Sequence, residues 1–235
     1  MTGIGASAGV RLPSTIGGPG GPPPPPPPPP WELLAMTALM NTTAGPQPTA
    51  PIDTTGADLI VICRFCIGVA TVGPGPAQWN DSAGNTWQSA VNTTNYGLLA
   101  VNYITNPVTS AAHTFNVAEA TSSIAVLAYS GSRANPFDTA TQWTLRNSSL
   151  QPGWANIVPT ANNMLLLNVL ATQSAWTDLA FDSGFTLQEL AVAAGQFGIG
   201  VGTLIQGPAV PINPTMTSTP ADTAVINALA GFFAG

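Results

Sequence analysis

Residues 57–66 read ADLIVICRFC and residues 162–171 read NNMLLLNVLA. Each is a short apolar run headed by Asp or Asn, far below the ~20 residues that span a bilayer, and each suits a strand buried on both faces. The segments C-terminal to the two runs are also alike. NDSAGNTW (80–87) is echoed by FDSGFTL (181–187), GLLAVNYITNP (97–107) by FGIGVGTLIQGP (197–208), AAHTFNV (111–117) by INPTMTS (212–218), and SSIAVLAYSG (122–131) by DTAVINALAG (222–231). Asp81 precedes Leu98, and Asp182 precedes Ile199, by the same seventeen positions (98 − 81 and 199 − 182). A chain that repeats a unit at this length is built from two similar halves.

From Ile52 onward, β-branched and apolar runs alternate with turn residues, the pattern of an all-β sandwich. Strands are predicted near 59–68, 86–91, 98–106, 113–117, 124–130, 164–172, 185–193, 199–206 and 224–230. The expected fold is therefore an antiparallel β-sandwich, jelly-roll-like, with two similar halves. In front of it the sequence predicts an extended N-terminal arm with a polyproline II segment and a short helix. The predicted organisation is residues 1–30 as arm and rod, 31–51 as helix and linker, and 52–235 as the sandwich.

Composition narrows the function. Of 235 residues, 45% are hydrophobic and 6% charged, against roughly 25% charged in an average soluble protein. The four basic residues are all arginines, Arg11, Arg64, Arg133 and Arg146, and the net charge is −6. Scattered cations on an acidic chain leave no footprint for phosphates, so nucleic acid is not an expected partner. A surface built from Thr, Ser, Asn and Gln without lysine suits a particle or cell exterior. No apolar segment precedes the prolines, which argues against the general secretory route, and membrane insertion is not expected.

The first thirty residues change regime midway. Gly, Ser, Ala and Thr dominate as far as Gly21, and Pro22 to Pro30 is unbroken proline. In polyproline II, at about 3.1 Å per residue, such a run makes a semi-rigid spacer of roughly 28 Å. WELLAMTALM (31–40) comes next, rich in helix formers, with Glu32 placed to suit a helix N-terminus. A helix with apolar residues nearly all round must be buried, either on its own domain or against copies of itself. Pro22, Pro26, Pro30, Trp31, Leu34 and Met36 are thus the candidate anchoring and assembly residues.

Groups able to do chemistry are few. Cys63 and Cys66 form C-x-x-C, but on a strand positions i and i+3 point to opposite faces, so two packed thiols are expected in place of a disulfide or metal site. GASAG (5–9) matches G-x-S-x-G without the strand–turn–helix that a serine elbow needs. His113, the only histidine, is expected at the surface or on an edge strand. Asp81-Ser82 and Asp182-Ser183 sit before glycines, where they cap turns. GQFGIGVG (195–202) lacks the helix a dinucleotide loop requires, so its glycines are expected to permit close packing. No catalytic residue, cofactor or metal is predicted. Trp87 is expected in the core. Trp79, Trp143, Trp154 and Trp176 lie in or beside loops rich in amides and are candidates for surface or glycan contact, with indole under a sugar ring.

DTTGADLIVICRF (53–65), NDSAGNTWQ (80–88), NPVTSAAHTFNV (106–117), SSIAVLAYSG and NPFD (135–138) resemble β-sandwich domains that recur in structural proteins of tailed bacteriophages and in bacterial surface proteins. The resemblance spans about residues 52–235. It implies a non-enzymatic domain displayed on a particle or fibre, often trimeric and fixed by its N-terminal segment. The expected function is a virion structural protein, whether capsid decoration, head fibre or tail-associated spike. Its arm would engage a capsid or tail protein of the same particle, and its sandwich would face outward, stabilising the shell or touching a host surface glycan. The alternative is an extracellular filament or adhesin subunit assembled by N-terminal strand complementation. A carbohydrate-active enzyme working through Asp81, Asp138, Asp178 or Asp182 is the remaining reading.

Overall fold

A computed structural model describes residues 31–43, 45–67, 79–93, 97–117, 122–146, 156–173, 176–193, 197–219 and 224–235. Pro22, Pro26, Pro30 and Trp154 lie outside them. The described residues are all-β and contain no helix. The first half carries β1 (Glu32–Asn41), β2 (Gln47–Pro48), β3 (Leu59–Cys66), β4 (Trp79–Asp81), β5 (Gln88–Thr93), β6 (Leu98–Thr105), β7 (Phe115–Val117) and β8 (Ser122–Ser130). The second carries β9 (Ser132–Arg146), β10 (Met164–Thr172), β11 (Asp178–Phe181), β12 (Thr186–Ala193), β13 (Phe197–Gln206), β14 (Met216–Thr219) and β15 (Ala224–Ala234).

Each half builds its own five-stranded antiparallel sheet, and the two sheets have one strand order. The first runs β1-β8-β3-β6-β5 and the second β9-β15-β10-β13-β12. Small sheets complete the parallel between halves: β2-β7-β4 in the first, β11-β14 in the second. Even the isolated bridges correspond, Ile52 with His113 and Ile157 with Ile212. The predicted repeat is therefore present, and it begins before the echoing segments, at β1 and β9.

The two large sheets face each other over one core. Leu59, Val61, Cys63 and Phe65 of β3 meet Leu165, Leu167, Val169 and Ala171 of β10 there, with Leu99, Val101, Leu127, Ile199, Val201 and Phe232 around them. Alternate residues of the same strands face outward and are buried again. Ile60 and Ile62 pack under Phe115 and Val117 of β7; Leu170 packs under Leu179 and Met216 of β11 and β14. Burial on both faces is why these strands read as continuous apolar runs. Cys63 and Cys66 are free and buried, the first in the inter-sheet core and the second in a separate outer cluster with Leu98 and Ala100. Desolvation pushes the Cys63 thiol far above its usual range.

The segment 31–40 is a strand, and the predicted helix is absent. β1 pairs with β8 along its length, from Glu32 opposite Ser130 to Asn41 opposite Ser122, with one bulge between Leu33 and Ala35. Leu33, Ala38 and Met40 pack on the inter-sheet core and Leu34, Ala35 and Leu39 on the outer cluster. An edge strand apolar on both faces satisfies the same burial demand as a helix apolar all round, and the available ladder on β8 overrides helix propensity.

The glycines of β13 do pack closely. A Cβ added at Gly202 would lie 2.7 Å from Phe181 Cδ2, and one at Gly200 would overlap Leu179 Cδ2. Their bare backbone lets β11 rest on β13.

Candidate functional site

Trp31 joins the proline run to the sandwich. It is buried, its indole Nε1 donates to the Asn163 carbonyl at 3.1 Å, and its ring meets Tyr129 edge-on at 6.1 Å. Asn163 adopts the left-handed backbone conformation, φ 58°, which asparagine tolerates and which turns the chain into β10. Leu34 is half-buried against the outer cluster, and Met36 is 40% exposed. Of the three predicted assembly residues that are described, one is a joint, one is packing and one is surface.

His113 is fully buried, contrary to the surface or edge position predicted for it. Its Nε2 is 3.0 Å from Asp81 Oδ1, its Nδ1 is 3.0 Å from Thr54 Oγ1, and its ring stacks on Phe115 at 4.4 Å. Asp81 is a hub. Its Oδ1 also accepts from the Ala83 amide at 2.9 Å and the Asn85 side chain at 3.1 Å, and its Oδ2 accepts from Trp87 Nε1 at 2.8 Å. Burial pushes the Asp81 carboxyl up, but the hydrogen bonds from His113, Trp87 and Asn85 outweigh it and hold the group below the usual carboxylate range.

The Thr–His–Asp order invites comparison with a hydrolytic triad. There the carboxylate orients Nδ1 and the nucleophile faces Nε2; here the two roles are exchanged. Thr54 is completely buried, and its hydroxyl oxygen accepts the Ser110 amide at 3.0 Å. With a proton on Nε2 alone, the Thr54 hydroxyl donates to Nδ1. With both ring nitrogens protonated, Nδ1 donates to Thr54 and the hydroxyl turns to the Ser110 carbonyl, 3.2 Å away. Either way the polar atoms are satisfied, and the cluster ties the segment before β7, the end of β4 with its turn, and the 52–58 loop together. What it does chemically is hold structure.

Asp182 plays the corresponding part in the second half. Its backbone carbonyl accepts the Phe185 amide, as that of Asp81 accepts Gly84, and its carboxylate takes the Thr215 amide and hydroxyl and the Ser183 hydroxyl. These bonds overcome the effect of burial and lower its pKa. Both carboxylates cap turns, as their sequence context predicts, on outer layers that cover different sheets, so they do not converge. Asp138 accepts from the Thr160 amide and hydroxyl. Among the described residues no group of His, Cys, Asp and Glu could hold a metal ion.

The tryptophans separate. Trp87 is half-buried against the outer cluster of the first half, donating to Asp81. Trp176, predicted as a surface contact, is 3% exposed and packs with Leu170, Leu179, Met216 and Val225 beneath the β11-β14 layer; it cannot stack on a sugar. Trp79 begins β4 and Trp143 lies in β9, on strands where loops were expected. The His113 cluster itself could not be seen in the sequence. Thr54, Asp81 and His113 are far apart in the chain, and the lone signal was Asp81 before a glycine. Compared with known protein families, curated proteins and solved structures, the chain matches none.

Proposed function

We propose that this chain is a non-enzymatic structural subunit of a bacteriophage virion, mounted through its N-terminal arm with the sandwich outward as a decoration, head fibre or tail-associated spike. The reading includes a jelly-roll-like winding of the sandwich with its two similar halves. In its favour, in the first half β1-β8-β3-β6-β5 form one sheet and β2-β7-β4 the layer above it, so that the chain crosses between layers from β1 to β5, stays in the sheet for the β5-β6 pair, and crosses again through β7 before returning beside β1 as β8. Jelly rolls of this kind recur in capsid and lectin domains, which is a fold-level analogy. The carrying observation is the Trp31 joint. The residue that follows the proline run is sealed into the core and hydrogen-bonded across to the start of β10, so a force or stand-off applied through the run is transmitted to both halves.

Deletion of Met1 to Pro30 tests it. The truncated protein should retain its thermal unfolding transition and fail to enter particles when co-produced with capsid and tail proteins; normal incorporation would overturn the mounting. One observation favours the filament reading as second. β1 pairs with β8 only, among the described residues, and so offers a ladder edge for strand addition. Polymerisation of the purified full chain with no other component would move that reading to first place.

A further inference from the structure

We infer that the seam between β5 and β9 is a binding trough for a neutral, hydroxyl-rich ligand, an oligosaccharide. Strand order puts these two strands at the same side of the sandwich, β5 ending one sheet and β9 the other. Two depressions lie along the seam. One, of about 160 Å³, is lined by Gln88, Tyr103, Asn135 and Phe137; the other, of about 430 Å³, by Thr141 and Gln142 of β9 with Val91 and Asn92 of β5 opposite. They follow one another along the same pair of strands, which suits a chain laid across the surface better than a single small molecule.

The lining specifies the chemistry. No charged side chain lines either depression. The nearest charges on β9 already have partners: Asp138 bonds Thr160, and Arg133 bonds the Asn135 backbone carbonyl, leaving that residue's carboxamide out of the bond, and lies over the face of Phe233. What remains are carboxamides and hydroxyls, each able to donate and accept, as a sugar hydroxyl also does. At the first depression Tyr103 and Phe137 stack at 5.4 Å and 18°, and Tyr103 is fixed by its hydroxyl bond to Gln88 Oε1 at 2.8 Å. Phe137 is half-buried, packed on the inter-sheet core and against Phe232; its remaining surface, which lines the depression, is the apolar patch for the C–H face of a pyranose. An extended peptide is the competing occupant of any seam between edge strands. Here Pro136 interrupts the donors of β9, and β9 and β5 both carry register shifts, the latter between Ser89 and Val91. A peptide could not keep a continuous ladder across these breaks, whereas recognition by side chains is unaffected by them. This inference stands on the trough alone and is independent of how the chain is mounted.

The test uses the full chain on an array of neutral and acidic oligosaccharides. Positives are then titrated into ¹⁵N-labelled protein and compared with the Asn135→Ala/Gln142→Ala variant. The expected result is binding to one or more neutral glycans, amide shifts confined to β5, β9 and their neighbours, and at least a tenfold weaker Kd in the variant at unchanged Tm. Four outcomes would overturn it: no neutral glycan bound at millimolar concentration, preference for sialylated or uronic acid glycans, shifts elsewhere on the sandwich, or variant affinity equal to that of the parent. Displacement of a bound glycan by an unstructured neutral peptide of any sequence would likewise favour the peptide and sink the assignment.

Discussion

At the residue scale, Asp81 concentrates more consequence than any other polar group described. Its two carboxylate oxygens take the fully buried His113, the half-buried Trp87, the Ala83 amide and the Asn85 side chain, so replacing the carboxylate by an amide leaves these partners a single acceptor oxygen and no charge. Asp81→Asn should cost on the order of 3 kcal/mol at neutral pH. The pH dependence has a definite sign. A carboxyl whose folded pKa is depressed binds its proton more readily when unfolded, so stability rises with pH through that window. Its contribution is complete above the unfolded value, about 3.9, and fades as pH falls through the lower folded value. Urea unfolding between pH 2 and pH 5 should therefore show the parent losing its advantage over Asp81→Asn as acid is added. Parallel stability curves would show that the cluster contributes nothing through the Asp81 charge.

At the element scale, the nine predicted strands all exist, because each couples β-branched or apolar residues to turn chemistry at its ends. Two long strands escaped for opposite reasons. ELLAMTALMN has the helix formers and the carboxylate of a helix start, and only the ladder of β8 decides against helix. SRANPFDTATQWTLR, which forms β9, reads as loop because it is polar and contains Asn-Pro, yet an edge strand tolerates both. The glycines of FGIGVGTL were legible as a close approach, though the partner strand β11 was not, being four residues long. Their role is open to test. Gly200→Val would drive a branched side chain into Leu179 and should destabilise by about 1–3 kcal/mol through overpacking. Gly207, where a Cβ would meet nothing within 4 Å, is the control: Gly207→Ala should be neutral or stabilise by up to about 1 kcal/mol. Equal effects at the two sites would remove the packing explanation for the stripe.

At the scale of the whole molecule, duplication was visible in the echoing segments, but how the copies share a core was not, since register across a sandwich depends on side-chain packing that no spacing encodes. Each copy forms a complete sheet, and each sheet is the other's inner cover. The contacts across the core respect this: β5 meets β9 as β12 meets β1, and β8 meets β13 as β15 meets β6, the exchange expected of an approximate two-fold relation between the halves. At the crossover, both carboxylate oxygens of Asp58 accept backbone amides, from Gly131 and Ser132, at 3.0 Å, pinning the link between the copies to the first half. A cut there leaves every strand pairing intact and removes only the covalent connection. Fragments 31–131 and 132–235 should therefore behave alike. Alone, each would expose a whole apolar face, Leu59, Val61, Phe65, Leu99 and Leu127 on one, Leu165, Leu167, Ile199, Val201 and Phe232 on the other, and should aggregate or bind a hydrophobic dye without cooperative unfolding. Mixed during refolding, they should recover a 1:1 complex with the far-ultraviolet spectrum of the intact chain and a Tm that rises with concentration, as mass action requires. A half that stays monomeric and unfolds cooperatively by itself would mean that its small outer layer supplies enough core, and that the inter-sheet face is a docking surface between two independent domains.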